Sequence, residues 1–301
     1  MYLLKNENLN TEWLYTISPK GKFIDFNFKE IWRYRDLLFL FVKRDVITLY
    51  KQTVLGPLWY LIQPLITSVI FTIIFNGIAN INVGEHVHPF LFNLAGITIW
   101  NYFAECLKGT SDSFKKNQNI FSKVYFPRVI MPMTVVISAL LKFAIQFLIF
   151  IGFYVFFVFQ GKSGTLDVNL LLLFPVLVLL MGLLGLGLGM IISSMTTKYR
   201  DLTFLVGFGV QLLMYVSAVM YPIQDAVEKI ERSFPKSASF INPIIENNPL
   251  AQIVETFRYM FFSQGQFSVK GILVTLIVTV GIALLGLVIF NKTERSFIDT
   301  V

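Results

Sequence analysis

Polar and apolar positions along residues 29–63 alternate with a helical period. At roughly 100° per residue, Lys29, Arg33, Asp36, Lys43, Arg44 and Lys51 share one arc. Ile31, Tyr34, Leu38, Phe41, Val42, Val46 and Leu49 lie opposite, with Arg35 and Asp45 intruding among them. The pattern predicts a basic, aromatic-rich amphipathic helix lying in a membrane interface, its cations toward water and anionic headgroups. Leu55-Gly56-Pro57 should end that helix, because proline disfavours helical geometry in the residue before it. After this hinge the pattern turns to long apolar runs, at approximately 58–77, 89–107, 131–159, 170–195, 202–221 and 271–290. Each run meets the requirement of about 20 mostly apolar residues for a membrane helix. The expectation is therefore an all-α integral membrane protein with six transmembrane helices. Residues 1–28 form a cytosolic lead-in, 29–56 the interfacial helix and 57–301 the six-span body.

An even number of spans puts both termini on one side, and the positive residues say which. Lys and Arg concentrate in 1–56 and in the 108–128 connection, where Lys108, Lys115, Lys116, Lys123 and Arg128 fall. The short fourth-to-fifth loop adds Lys198 and Arg200, and the C-terminal tail adds Lys292 and Arg295. This side is cytosolic. The first outward loop, 78–88, holds no Lys or Arg.

Residues 222–270 are the one large extracytosolic piece, divided by Pro222, Pro235, Pro243 and Pro249, so they cannot form a single helix. Asn248-Pro249 supplies an N-cap residue followed by proline at the first helical position. The run Leu250–Phe262, with Glu255, Arg258 and Tyr259 among its apolar residues, reads as a short helix dipping into the outer leaflet or a pore mouth. The rival reading is a packed extracytosolic cap. In the fourth span Gly182, Gly185, Gly187 and Gly189 permit close helix approach, either for tight packing or for sliding.

Composition agrees with the pattern. The 301 residues are 55% hydrophobic and only 14% charged, with 31 phenylalanines and a mean hydropathy of +0.67. Soluble domains carry about 25% charged residues, so this chain has too few to cover a globular surface. Its net charge of +7 points to an anionic membrane surface rather than to nucleic acid. The lone Cys106 excludes an intrachain disulfide and reads as a buried structural thiol. The polar N-terminus has no apolar core of signal-peptide length, so no cleavable leader is expected.

Catalytic chemistry is sparse. His86 and His88 sit beside Glu85 in the first outward loop, where a solvated loop is a better reading than a metal site. Glu105 lies near a cytosolic end, and Lys142 lies within the long third span, either functional or snorkelling to the interface. Gly161-Lys162-Ser163 ends like a phosphate-binding loop, but Phe156 holds the place of the first glycine. No catalytic, nucleotide or metal site is expected, and energy for uphill transport would have to come from another polypeptide.

Several separated segments then occur in a familiar order. They are the basic helix; Leu55-Gly56-Pro57-Leu58-Trp59; Gln63-Pro64; Asn119-Ile120-Phe121-Ser122-Lys123-Val124-Tyr125-Phe126-Pro127-Arg128; Thr197-Lys198-Tyr199-Arg200-Asp201-Leu202; Asn248-Pro249; and Arg295-Ser296-Phe297. From about Glu12 to Val301 the chain resembles the permease subunit of type-2 ABC exporters of polysaccharides, the O-antigen (Wzm-like), capsule and teichoic-acid group. The resemblance implies a homodimer in the bacterial inner membrane, enclosing a channel and bound to two separate ATPase subunits that hold ATP and Mg. It implies a lipid-linked glycan as cargo, most simply O-antigen, with capsule or teichoic-acid polymer, or a small lipid or drug amphiphile, as alternatives. An ion-coupled flippase or membrane enzyme is the least favoured class.

The resemblance also assigns roles. Asn119, Phe121, Lys123, Tyr125, Phe126, Pro127 and Arg128, within a coupling connection of about 115–128, would dock the ATPase. The helix bearing Arg33, Arg35, Asp36, Lys43, Arg44 and Asp45, with its Leu55-Gly56-Pro57 hinge, would make a second contact and line the entrance. Pro222, Asn248, Pro249, Arg258 and Tyr259 would belong to re-entrant pieces of 222–262 that close the far side. Trp59, Tyr60, Trp100, Tyr102 and Phe103 could stack on sugar or seal the pore, or else form an interfacial belt.

Overall fold

The computed structural model describes residues 28–51, 56–84, 86–121, 126–197, 199 and 201–297. The lead-in 1–27, Leu55, Glu85, Lys123, Tyr125, Lys198 and Arg200 lie outside the described residues. The described chain is almost entirely helices and their connecting loops, its one β feature being an isolated bridge between Val87 and Ser163.

The helices are α1 (Phe28–Arg33), α2 (Arg35–Lys51), α3 (Trp59–Phe71), α4 (Pro89–Ser111), α5 (Ser113–Phe121), α6 (Ile130–Phe159), α7 (Phe174–Thr196), α8 (Leu202–Val216), α9 (Ile223–Ser233), α10 (Pro235–Glu246), α11 (Pro249–Phe262) and α12 (Val269–Phe297). Among the described residues, four stretches are long and apolar enough to cross a membrane: Trp59–Ile78, Ile130–Phe159, Leu170–Thr196 and Val269–Glu294. The two other expected spans differ from these. Helix α4 has 23 residues but is diluted by Asn93, Asn101, Glu105 and Lys108. Helix α8 has 15 residues and stops at Val216, short of the predicted 221. At 1.5 Å per residue it is about 22 Å long, less than a hydrocarbon core of about 30 Å.

The bundle is built around α4, which packs on α3, α6, α7, α8 and α11. Its apolar residues are buried nearly end to end, because neighbours surround it on most sides. The glycines of α7 serve two partners. Cβ atoms at Gly182, Gly185 and Gly189 would meet Tyr102, Cys106 and Thr110 of α4 at 2.5–2.6 Å. Gly187 instead faces α12, where a Cβ would come within 2.8 Å of the Ala283 Cα. Gly286 returns the approach from α12, against the Gly187 carbonyl. This is the tight-packing reading of the glycine run. Gly187→Val, which meets backbone rather than a movable side chain, should cost on the order of 1–3 kcal/mol of overpacking strain. A lowered melting temperature of the detergent-solubilised protein would record it, and an unchanged one would refute the account.

Past Phe71 the first span continues as a π-helical segment, Thr72–Ile78. The buried Asn93 amide of α4 donates to Thr72 Oγ1 (3.1 Å) and Asn76 Oδ1 (2.9 Å), holding that segment against the core. At the same end the loops interlock. The Lys162 carbonyl accepts from the His88 N–H (2.9 Å), and the Met260 carbonyl from the Asp167 N–H (3.0 Å). Ser263 Oγ donates to the Thr165 carbonyl at 2.7 Å.

Candidate functional site

At the end where α4 terminates, α2 covers the start of α6. Its Leu38, Phe41 and Val42 are buried in a cluster with Phe121, Phe126, Val129, Ile130, Met131, Leu287 and Phe290. Phe41 and Phe126 lie 5.9 Å apart, and Phe114 stacks on Phe290 of α12 at 4.5 Å. Part of the predicted apolar face, Leu38, Phe41 and Val42, thus packs on protein. The helix also differs from the expected single element, since a one-residue turn at Tyr34 separates α1 from α2. A second apolar strip, Trp32, Phe39 and Leu40, is exposed beside Arg33, Arg35, Asp36 and Lys43. Arg44 pairs with Asp45 at 2.8 Å and lies over the Phe41 ring at 4.9 Å. Gly56 begins a 3₁₀ turn, Gly56–Leu58, with φ +48°, a left-handed conformation that glycine enters without strain.

Three residues expected to dock a partner point inward instead. Phe121 and Phe126 are core residues of this cluster. Arg128 is buried, its Nη1 donating to the Glu294 carbonyl (2.9 Å) and its Nε 3.7 Å from Glu294 Oε1, with the Phe121 ring 5.3 Å away. It fastens the connection to the end of α12. The outward face of α5 carries Lys115, Lys116 and Asn119, with Lys116 held to Asp112 at 3.2 Å. Pro127 follows Phe126 at partial exposure.

The aromatic set divides as well. Trp100, Tyr102 and Phe103 are buried in the core cluster, Trp100 against Phe103 and Tyr102 against Phe143, which leaves none of the three on the accessible surface. Only Trp59, half exposed, and Tyr60 remain accessible. Beside Tyr60 lies a polar cluster that the sequence did not assemble. Lys142 Nζ is 2.6 Å from Glu105 Oε2 and 5.1 Å from the Tyr60 ring centroid, and Asn101 donates to Gln146 at 3.3 Å. Lys142 is paired with a carboxylate across two helices. It sits 17 residues from the far end of α6, about 25 Å at 1.5 Å per residue.

The opposite end is organised by α11. Asn248 Oδ1 accepts from the Leu250 N–H (3.0 Å), with Pro249 next, as the capping motif predicts. The same amide donates to Ser217 Oγ at 3.2 Å, tying α11 to the end of α8. Arg258 is fully buried and donates to the carbonyls of Ala218 (2.8 Å), Val219 and Tyr221 (3.4 Å). These carbonyls belong to the turn that follows α8, where the guanidinium satisfies backbone acceptors that no helix ladder pairs. The guanidinium also lies 3.7 Å from the Phe92 ring centroid, over a space that Gly96 leaves open. Glu255, one turn earlier, is buried, which raises its carboxyl to about 7 against the opposing pull of the Arg258 charge. Phe257 and Phe261 insert between Phe147, Phe150 and Phe174, with the Phe150 and Phe261 rings 5.0 Å apart. Pro222 precedes α9, and Tyr259 stacks on Phe267. His88 caps α4 through Nδ1 and stacks on Phe157 at 4.4 Å. Burial, with Lys162 nearby, lowers its pKa.

Residues 36–262 match the model of a family described as ABC-2 type transporter. Two sequences named O-antigen export system permease protein RfbA, both from Klebsiella pneumoniae, are each 26% identical over 264 and 265 residues, 88% of this chain and 94% of theirs. A third of that name, from Myxococcus xanthus, is 23% identical over 273 residues, 91% of this chain and 98% of its own. The family match spans the α2 assembly, the α4-centred bundle and α11 together: the chain belongs to the ABC-2 type transporter family.

Proposed function

We propose that this chain is the permease half of an ATP-driven exporter that moves a lipid-linked polysaccharide, most simply an O-antigen glycan, out of the cytosol across the bacterial inner membrane. The relatives named O-antigen export permeases, matched over nearly their full length, support the cargo class. The observation that carries the mechanism is the locked unit of α2, α5, the start of α6 and the end of α12. Buried aromatics and the Arg128–Glu294 contact join these elements, which supports their moving as one body. A push on the outward Lys115, Lys116 and Asn119 face of α5 therefore reaches two spans directly, and the Gly56 turn passes it to the first. Two ATPase subunits, holding ATP and Mg, supply that push at an acidic groove.

In this reading both termini are cytosolic and α4 and α8 complete six spans, α8 being supplemented by the turn after Val216. Helix α11 is re-entrant. Its Phe261 reaches Phe150, nine residues from the end of α6, about 14 Å deep at 1.5 Å per residue. A second copy completes the channel. Supporting this, Phe204, Leu205 and Phe208 of α8 are exposed, and Gly207 and Gly209 meet nothing within 4 Å.

Pull-down of the tagged chain from native membranes tests the reading. A nucleotide-binding subunit should co-purify, and depletion should strip glycan from the cell surface. If neither occurs, the reading fails. Gly56→Val, forced into a conformation costing about 1–2 kcal/mol for an L-residue, should reduce export while the protein still reaches the membrane. Normal surface glycan in that variant would count against the hinge.

A further inference from the structure

Between α9, the end of α10, α11 and the start of α12 lies a cavity of about 570 Å³, at the end of the bundle opposite α2 and α5. Its size falls within the range of about 300–1,000 Å³ usual for small-molecule sites. Helix α9 contributes Gln224, Val227 and Glu228. Gln252 and Glu255 come from α11, and Gln266 from the following loop. The walls thus alternate side-chain amides and carboxylates with a few aliphatic groups.

Two features mark it as built rather than incidental. Glu255 is only 3% exposed, and its Oε2 has no hydrogen-bond partner. A buried unpaired carboxylate oxygen is costly unless something else supplies the donor. The loop is shaped around this group. Gly265, with φ +98°, lets the carboxylate Oε1 lie against its backbone where any Cβ would collide. Gln252 is held in the same way, over Gly271, with its Nε2 donating to the Glu246 carbonyl at 2.6 Å.

We infer that this cavity binds a hydroxyl-rich sugar unit of the emerging glycan. The inference rests on the exporter reading above and adds an exit-side contact to it. Carboxylate and amide oxygens accept sugar hydroxyls, amide N–H groups donate to them, and Val227, Ile223 and Val274 offer a surface to C–H faces. A metal ion fits less well, since among the described residues no group of three His, Cys, Asp or Glu side chains gathers to hold one. Glu228 is moreover engaged by Arg232 at 3.3 Å. An anionic ligand would meet the carboxylates of Glu228, Glu246 and Glu255 against the single cation Lys270.

The test places a photo-crosslinking amino acid at Gln224 or Val227, and at the exposed Phe159 as a control, in cells that make the glycan. Glycan-bearing adducts should form from the two cavity positions, be absent at 159 and disappear in cells lacking glycan synthesis. Glu255→Gln, which keeps the volume but replaces one acceptor oxygen of the carboxyl by an amide NH₂, should lower the adduct yield at Val227 by about fivefold or more. If depletion strips surface glycan yet no adduct forms from the cavity, or adducts form equally at Phe159, the cavity assignment is overturned and the exporter reading stands. Surface glycan that survives depletion defeats the exporter reading, and the cavity assignment with it.

Discussion

Arg258→Ala should be the most damaging single substitution in the chain. It removes a fully buried guanidinium and strands the carbonyls of Ala218, Val219 and Tyr221 in the interior. It also leaves the buried Glu255 without the nearby positive charge that opposes its desolvation. Breaking a buried charged network of this kind costs about 3–5 kcal/mol. The expected result is a large fall in the melting temperature of the solubilised protein and little correctly folded protein in the membrane. Arg258→Lys should recover only part of the loss, because an ammonium cannot spread over several carbonyls as the planar fork does. Stability close to that of the unchanged protein in Arg258→Ala would show that α11 is held by its aromatic residues alone.

Charge reversal on α5 should have the largest effect on partner association with little effect on folding. Lys115 and Lys116 are exposed, whereas Arg128 and Phe121 beneath them are buried. Lys115→Glu with Lys116→Glu should therefore leave the melting temperature nearly unchanged. It should weaken binding of the ATPase subunit by about tenfold or more, with a reduced dependence on salt concentration, as expected for steering charges at an interface rim. Retained co-purification at raised ionic strength would move the docking surface elsewhere on the chain. Arg128→Ala, by contrast, should act on stability first, because it releases the end of α12.

These contrasts show what the sequence could and could not convey. The membrane class, the long third span and the Asn248-Pro249 cap are one-dimensional signals of length, composition and local hydrogen bonding, and the structure contains each of them. Burial by a remote partner is not such a signal. Nothing near Arg128 in sequence announces Glu294, and nothing near Lys142 announces Glu105. Trp100, Tyr102 and Phe103 look like belt or channel aromatics until α6 and α7 close over them. Helix α8 also ends early: Ser217 leaves helical geometry and Ala218 takes φ +52°, and the carbonyls of Ala218, Val219 and Tyr221 beyond the break accept from a guanidinium contributed by α11. Tyr34 divided the interfacial helix, and Trp32, Phe39 and Leu40 gave it a second apolar strip that a two-faced wheel overlooks.

On the exporter reading, this chain moves glycan only when an external ATPase pushes on it. Inverted membrane vesicles containing the chain, its co-purified ATPase subunit and radiolabelled lipid-linked glycan test this most directly. Protection of the label from added glycosidase should require ATP, require both subunits, and be abolished by Lys115→Glu with Lys116→Glu. Protection that proceeds without ATP under an ion gradient, or with this chain alone, would contradict the account.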